Sequence, residues 1–411
     1  MQDLFAGRPL AIRALNGAGR LLRAAGMPLI RLEEKSLLER AVQATSLSDF
    51  GDETFRAPLR LYLDALENEA RLTVLGRFIA RTDTLRLLEN RLRLVDAYKR
   101  YPEIEAGEVR RPIFILGLPR TGTSILHELL AQDPANRVPM TWEVHRVWPP
   151  PERRTYDTDP RIATVEKHLS GVDRILPGFK KMHPMGALLP QECVALTAHD
   201  FATMIFHTTH YVPSYQAWLE DADLRWVYAS HRRQLQYLQW HCPARRWVLK
   251  SPGHLWALES LLAVYPDARI IQTHRDPLEV IASLGSLVAY LRSMASDHID
   301  PFEIGVEWAE RLARGLRSTM QIRERASLAN DRVFDMQFRH FLGNEIETVR
   351  RIYAHFDLDW TDEAEARMRR FLDANPRDKH GAHQYTLAQA GLDAETERRR
   401  FAFYQERYLQ D

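Results

Sequence analysis

Cysteine is scarce in this 411-residue chain: Cys193 and Cys242 are the only two. That is too few for a disulfide framework and fits a reducing, cytoplasmic setting. An excess of either charge is also missing. Lysine plus arginine number 56 against 55 aspartates plus glutamates, a formal net charge of +1. This offers neither a basic platform for nucleic acid nor a polybasic face for a membrane surface. No uncharged apolar run is long enough to span a bilayer, and the opening segment soon meets Arg8, Arg13, Arg20 and Arg23. A soluble protein without a signal peptide or transmembrane segment is therefore expected. Internal repeats, low-complexity linkers and metal-ligand clusters are absent as well, so no metal is expected.

What is present centres on Pro112–Leu126, PIFILGLPRTGTSIL. Ile113–Leu116 is short and continuously apolar, as in a strand buried on both faces of a parallel sheet. Beyond it, Ile125, Leu126, Leu129 and Leu130 have helical spacing. Between them, Gly117 and Gly122 occupy the two glycine positions of a phosphate-binding loop, G-x-x-x-x-G-K-[ST]. Free N–H groups at the helix start, its dipole, and the Thr121, Thr123 and Ser124 hydroxyls favour an anion there. Thr123 stands where the loop lysine of a nucleoside-triphosphate site belongs, and Arg120 supplies a cation earlier in the loop. A strand-to-helix turn whose glycines serve geometry alone is the plainer alternative.

Arg246–Ser286 repeats the alternation. The pattern predicts strand Trp247–Leu249, a KSPGH loop, a helix over Leu255–Val264, strand Ala268–Thr273, and a helix opening at Asp276–Pro277. In a parallel sheet both strands end at the ligand-binding edge, which would turn Lys250, His254, His274 and Arg275 toward the phosphate loop. The fold expected is α/β, a P-loop-like parallel sheet flanked by helices, with a helical N-terminal region and a helical insert.

Together these segments resemble the sulfotransferases that use 3′-phosphoadenosine 5′-phosphosulfate (PAPS), in particular the bacterial branch with a helical N-terminal extension. The resemblance spans about residues 110 to 410 and rests on the order and spacing of four segments. It implies that the GLPRTGTS loop grips the 5′-phosphosulfate, and that Arg275 with Ser283, eight residues on, binds the 3′-phosphate. Val333–Leu358 resembles the family's segment of strand, acidic turn and helix, with Asp335-Met336-Gln337-Phe338 in place of the more usual Tyr-Glu-Asp-Leu. NPRDKHGAH at Asn375–His383 resembles the loop closing over the nucleotide, which makes Arg377, Lys379 and Gly381 cofactor-binding candidates. Arg120 is assigned to the leaving phosphate and Lys250 to the sulfuryl oxygens. For the general base, His254 and Glu143 are equal candidates, with Glu192 third, because hydrogen-bond reach decides the role.

The reaction implied moves a sulfuryl group from PAPS to a hydroxyl or amine of a small-molecule or lipid acceptor. A P-loop kinase or NTPase is the main rival, and it would want the missing loop lysine and an Asp at a strand end for magnesium. A non-catalytic nucleotide-binding module is the third possibility.

Residues 1–100 read as a helical N-terminal cap, interleaving Leu61, Leu63, Leu66 and Leu72 with Arg and Glu. The α/β domain is expected over 101–411. Trp148-Pro149-Pro150-Pro151 breaks regular structure and opens a mostly helical insert, 152–243. That insert is rich in aromatics and methionine; packing accounts for most of them, and an apolar acceptor pocket would use the rest.

Overall fold

Five short strands position the site: Ile113–Gly117 (β1), Asn136–Arg137 (β2), Arg246–Lys250 (β3), Arg269–His274 (β4) and Val333–Gln337 (β5). The computed structural model describes residues 14–19, 21, 29–175, 185–326, 328, 330–375 and 386–410. The strands form one sheet in the order β2-β3-β1-β4-β5, with every neighbouring pair parallel. From β1 the chain passes to the edge strand β2 and returns to β3 beside β1, then crosses to the other side for β4 and β5. The order thus reverses beside β1, and ligands bind outside the carboxyl ends of the strands at such a point.

β1 is buried at all five positions. Its side chains divide by the two-residue strand period. Phe114 and Leu116, with Leu249 and Ile270, join one apolar cluster; Ile113 and Ile115, with Val248 and Ile271, join another. Each such side chain contributes roughly 1.5–3 kcal/mol by leaving water, so sheet and flanking helices hold each other in register.

The first cluster continues into the helices Glu34–Thr45 (α1), Arg56–Asn68 (α2) and Val74–Arg100 (α3). Thr73 starts α3 by accepting the Gly76 N–H at 3.0 Å. Arg91, buried in α3, pairs with Asp200 at 2.5 Å and donates to the Phe50 carbonyl at 2.8 Å. These helices therefore share their core with β1.

On the opposite face, Thr123–Leu130 (α4), Glu345–His355 (α10) and Asp362–Ala374 (α11) cover the second cluster. Between β2 and β3 lie Thr141–His145 (α5), Pro160–Ile175 (α6), several short helices and Arg225–Gln239 (α7). Pro277–Ser293 (α8) and Pro301–Arg325 (α9) follow β4, and Ala394–Tyr408 (α12) packs back on both of them.

Three elements differ in their boundaries from the sequence reading. β3 extends one residue further at each end, taking in Lys250, and β4 ends at His274. The helix expected from Leu255 begins at Leu258, because Pro252–Leu255 first winds as a 3₁₀ turn in which Ser251 Oγ accepts the Gly253 N–H at 3.0 Å. Among the described residues, no helix is long and apolar enough to cross a membrane.

Candidate functional site

The chain leaves β1 through a loop that requires its glycines. Gly117 has φ 151°, and a Cβ there would lie 2.1 Å from Thr273 Oγ1 on β4. Gly122 has φ 83° and stands just before α4. Only glycine adopts these positions at little cost. Thr121 Oγ1 lies 2.6 Å from the Leu118 carbonyl, to which it donates, and 2.5 Å from Thr273 Oγ1, which ties the loop to β4.

Arg120 also holds a left-handed φ of 66°, a strain on the order of 1 kcal/mol for a side-chain-bearing residue. Its carbonyl accepts from Arg275 Nη1 at 2.8 Å, which helps to keep it there. Left-handed residues interleaved with ordinary ones turn successive N–H groups into one concavity, and the unpaired N–H groups of the first α4 turn add to it. The result is an anion cradle with no acidic residue in the first turn of the helix.

Cations approach from both neighbouring strands. Lys250 ends β3 only 4% exposed; its Nζ lies 3.3 Å from Ser124 Oγ and forms an ion pair with Glu192. Arg275 follows β4, stacks 4.5 Å from the Phe338 ring centroid and pairs with Glu279 at 2.9 Å. Gly117, Arg120, Thr121, Gly122, Thr123, Ser124, Lys250 and Arg275 are thus brought to one edge of the sheet. Ser283 lies half-buried in the second turn of α8. Arg377, Lys379 and Gly381 lie outside the described residues.

Three candidates sit differently from the sequence reading. Glu143 is fully buried, with its oxygens taken by Arg137 Nη2 at 2.6 Å and the Met140 N–H at 2.9 Å. It closes a capping box at the start of α5 and neutralises a buried guanidinium. Breaking such a pair costs about 3 kcal/mol or more. Glu143→Gln is therefore expected to lower the urea midpoint; a catalytic Glu143 would instead lose turnover at unchanged stability.

His274 turns away from the loop. Its Nδ1 lies 2.7 Å from Tyr404 Oη on α12 and its Nε2 2.7 Å from Asp335, which also accepts from Arg323 at 2.7 and 2.9 Å. Asp335 lies inside β5 rather than in a turn, and the histidine and arginine beside it hold its carboxyl well below the usual range despite burial.

His254 is 1% exposed, edge-on to Phe114, with Nδ1 2.7 Å from Tyr228 Oη. Burial first, then His231 and Lys250, push its pKa well below the ordinary histidine value, so its imidazole is neutral.

Glu192, ranked last in the sequence, is the carboxylate at the loop. Thr273 was not singled out, and Tyr228 was counted only among the insert's aromatics. Thr273 is the register partner of Gly117, so its signal is a small hydroxyl residue facing the loop glycine across two parallel strands. Among the described residues, no group of His, Cys, Asp and Glu is arranged to hold a metal ion. The edge can hold a tetrahedral anion between N–H groups and two cations, with one carboxylate alongside.

Residues 112–362 match the sulfotransferase family. Over 300 residues the chain is 25% identical to the omega-hydroxy-beta-dihydromenaquinone-9 sulfotransferase Stf3 of Mycobacterium bovis, covering 68% of this chain and 71% of that protein. The crystal structure of sulfotransferase STF1 from Mycobacterium tuberculosis superposes with a TM-score of 0.81 at 34% identity, covering 90% of this chain and 98% of that one. That of STF9 from Mycobacterium avium does so with 0.84 at 31% identity, covering 91% and 96%. The matched segment runs through all five strands and carries the loop, Lys250 and Arg275, and on this ground the chain belongs to the sulfotransferase family.

Proposed function

We propose that the protein transfers a sulfuryl group from PAPS to the hydroxyl of an apolar small-molecule or lipid acceptor, releasing adenosine 3′,5′-bisphosphate. The observation that carries this reading is the Lys250–Glu192 ion pair beside Ser124, at the mouth of a loop without the triphosphate lysine.

In this reading the Arg120–Ser124 N–H groups and hydroxyls hold the phosphosulfate, and Arg120 takes the charge that develops on the leaving phosphate. Lys250 supports the sulfuryl oxygens. Arg275 and Ser283 recognise the 3′-phosphate, and Arg377, Lys379 and Gly381 close over the nucleotide. The acceptor oxygen attacks sulfur as the sulfur–oxygen bond to phosphate breaks, and the acceptor proton passes to the base. Fixed donors and cations suit such a loose, in-line transfer better than covalent help.

Glu192 is our choice of base over His254, because it already touches the lysine that would face the sulfuryl group. His254 keeps one nitrogen on Tyr228 and is almost wholly buried. A lipid or other apolar alcohol is favoured as acceptor because Stf3 is named for an ω-hydroxylated dihydromenaquinone, and because Cys193 and Ser251, next to Glu192 and Lys250, line a largely apolar cavity.

The test is incubation with radiolabelled PAPS and a lipid and small-molecule extract in excess EDTA. Label is expected to enter an apolar alcohol at an undiminished rate. No transfer from PAPS, or magnesium-dependent phosphoryl transfer from ATP instead, would support the kinase reading.

A further inference from the structure

The turn that carries Arg275 is held on both sides by the last helix. β4 ends at His274 and α8 begins at Pro277, so Arg275 and Asp276 alone make the connection. His274 Nδ1 lies 2.7 Å from Tyr404 Oη, and its ring stacks on Tyr408 with centroids 4.4 Å apart. Gln405 Nε2 donates to Asp276 Oδ1 at 3.0 Å, the same oxygen that accepts the Leu278 N–H at 3.0 Å to start α8. Adjacent residues of α12 thus grip the two residues that flank Arg275 in the chain.

These contacts have a direction. A carboxylate only accepts, so His274 Nε2 carries the proton that Asp335 takes at 2.7 Å. Burial keeps the imidazole neutral, so Nδ1 is an acceptor and the Tyr404 hydroxyl is its donor. Arg323 bonds both Asp335 oxygens and also Gln272 Oε1 at 2.8 Å, which anchors the carboxylate to β4 as well as β5. Tyr404, His274 and Asp335 stand in the order of a proton relay, but Tyr404 and His274 are both 0% exposed. Cut off from substrate in this way, the chain of bonds is mechanical.

The side chain of Arg275 is less firmly fixed than the backbone around it. Its Nε pairs with exposed Glu279 at 2.9 Å, its Nη1 donates to the Arg120 carbonyl at 2.8 Å, and its guanidinium rests on Phe338. A solvent-exposed pair of this kind contributes little, so the reach of Arg275 depends on where the turn places its Cα. A misplacement of about 1 Å in a binding group is enough to weaken what it holds. Docking of α12 does not itself call for polar contacts, because wholly buried Phe401 already joins the main apolar cluster.

We infer that Tyr404 and Gln405 are positioning residues for nucleotide recognition: through His274 and Asp276 they hold Arg275 where it meets the 3′-phosphate. This rests on the reading that Arg275 recognises that phosphate. It adds that α12, 130 residues further along the chain, belongs to the same site.

The test is calorimetric titration of the full-length protein with adenosine 3′,5′-bisphosphate and with 5′-AMP, for Tyr404→Phe, Gln405→Met, Arg275→Ala and the double variant Gln405→Met/Arg275→Ala. Each α12 variant removes one hydrogen-bond donor at nearly constant volume. Each is expected to weaken the bisphosphate roughly fivefold, the order of one lost hydrogen bond, and to leave 5′-AMP within about twofold. In the Arg275→Ala background, Gln405→Met is expected to change bisphosphate affinity by less than about twofold, because the group it positions is gone. Gln405 is half-buried, and its variant is expected to keep the wild-type urea midpoint, so it decides the test should Tyr404→Phe fail to fold.

Equal weakening of both nucleotides by Gln405→Met, or weakening of neither, would overturn the positioning role; where Arg275→Ala still acts on the bisphosphate alone, the 3′-phosphate assignment stands. A Gln405→Met loss that persists undiminished without Arg275 would overturn it too. No selective loss in Arg275→Ala itself would overturn the assignment and the inference together.

Discussion

Glu192→Gln is expected to lower turnover by roughly 10²–10⁴-fold, the usual cost of removing a general base, while adenosine 3′,5′-bisphosphate binds as before. Glutamine keeps the shape of the side chain but removes the charge that pairs with Lys250, so the loss reports proton transfer where the urea midpoint and nucleotide affinity are kept. Lys250→Met should cost roughly 10²–10³-fold in turnover, as for other removed charge-stabilising donors, because Lys250 Nζ stands 3.3 Å from Ser124 Oγ at the loop. The two losses should not add, since the pair acts as one unit. His254→Ala is expected to cost less than Glu192→Gln. The reverse order, with Glu192→Gln near wild-type turnover, would move the base to His254. Steady-state rates with a natural acceptor, alongside nucleotide titrations on each variant, separate these outcomes.

Acid is expected to destabilise the protein well before its carboxylates titrate. Burial holds His127 and His231 down to about 3, and His199 and His210 to about 4. In the unfolded chain each returns to about 6.5. Folded-state values are the lower ones, so below about 6.5 the unfolded state binds protons that the native state excludes. The stability these groups contribute is complete above that pH and is lost as pH falls toward about 3 to 4. Each histidine adds a slope of at most about 1.4 kcal/mol per pH unit. The urea midpoint should therefore stay level between pH 7 and 8 and fall steeply from about pH 6 downward. His231→Phe should flatten part of that slope, because its burial is the sole source of its shift. A midpoint unchanged down to pH 5 would contradict the buried, neutral state of these rings.

Local features were the readable ones. Gly117 and Gly122 announce the loop because their backbone needs are met by glycine wherever they occur, and Lys250 and Arg275 follow apolar runs that could only be strands. Glu192 could not be ranked in the same way. Its partner Lys250 is 58 residues away, and nothing in LPQECV records that contact. Glu143 is a candidate by its position after the first loop helix; its pairing with buried Arg137 depends on how β2 and α5 pack, which MTWEVH does not record. Asp335 read as part of a turn because the resemblance places an acidic turn at that point of the chain. The structure keeps it in β5 by giving it His274 and Arg323 as partners, a compensation that depends on tertiary packing.

The central claim is that this edge of the sheet recognises a nucleotide with a 3′-phosphate. Titration calorimetry with adenosine 3′,5′-bisphosphate, 5′-AMP and ATP in excess EDTA tests it most directly. The bisphosphate should bind tightest. Arg275→Ala should weaken it by about 1.5–3 kcal/mol, the worth of a hydrogen bond to a charged group, and leave 5′-AMP nearly unchanged. Equal weakening of both nucleotides, or ATP binding more tightly than the bisphosphate once magnesium is restored, would contradict the claim.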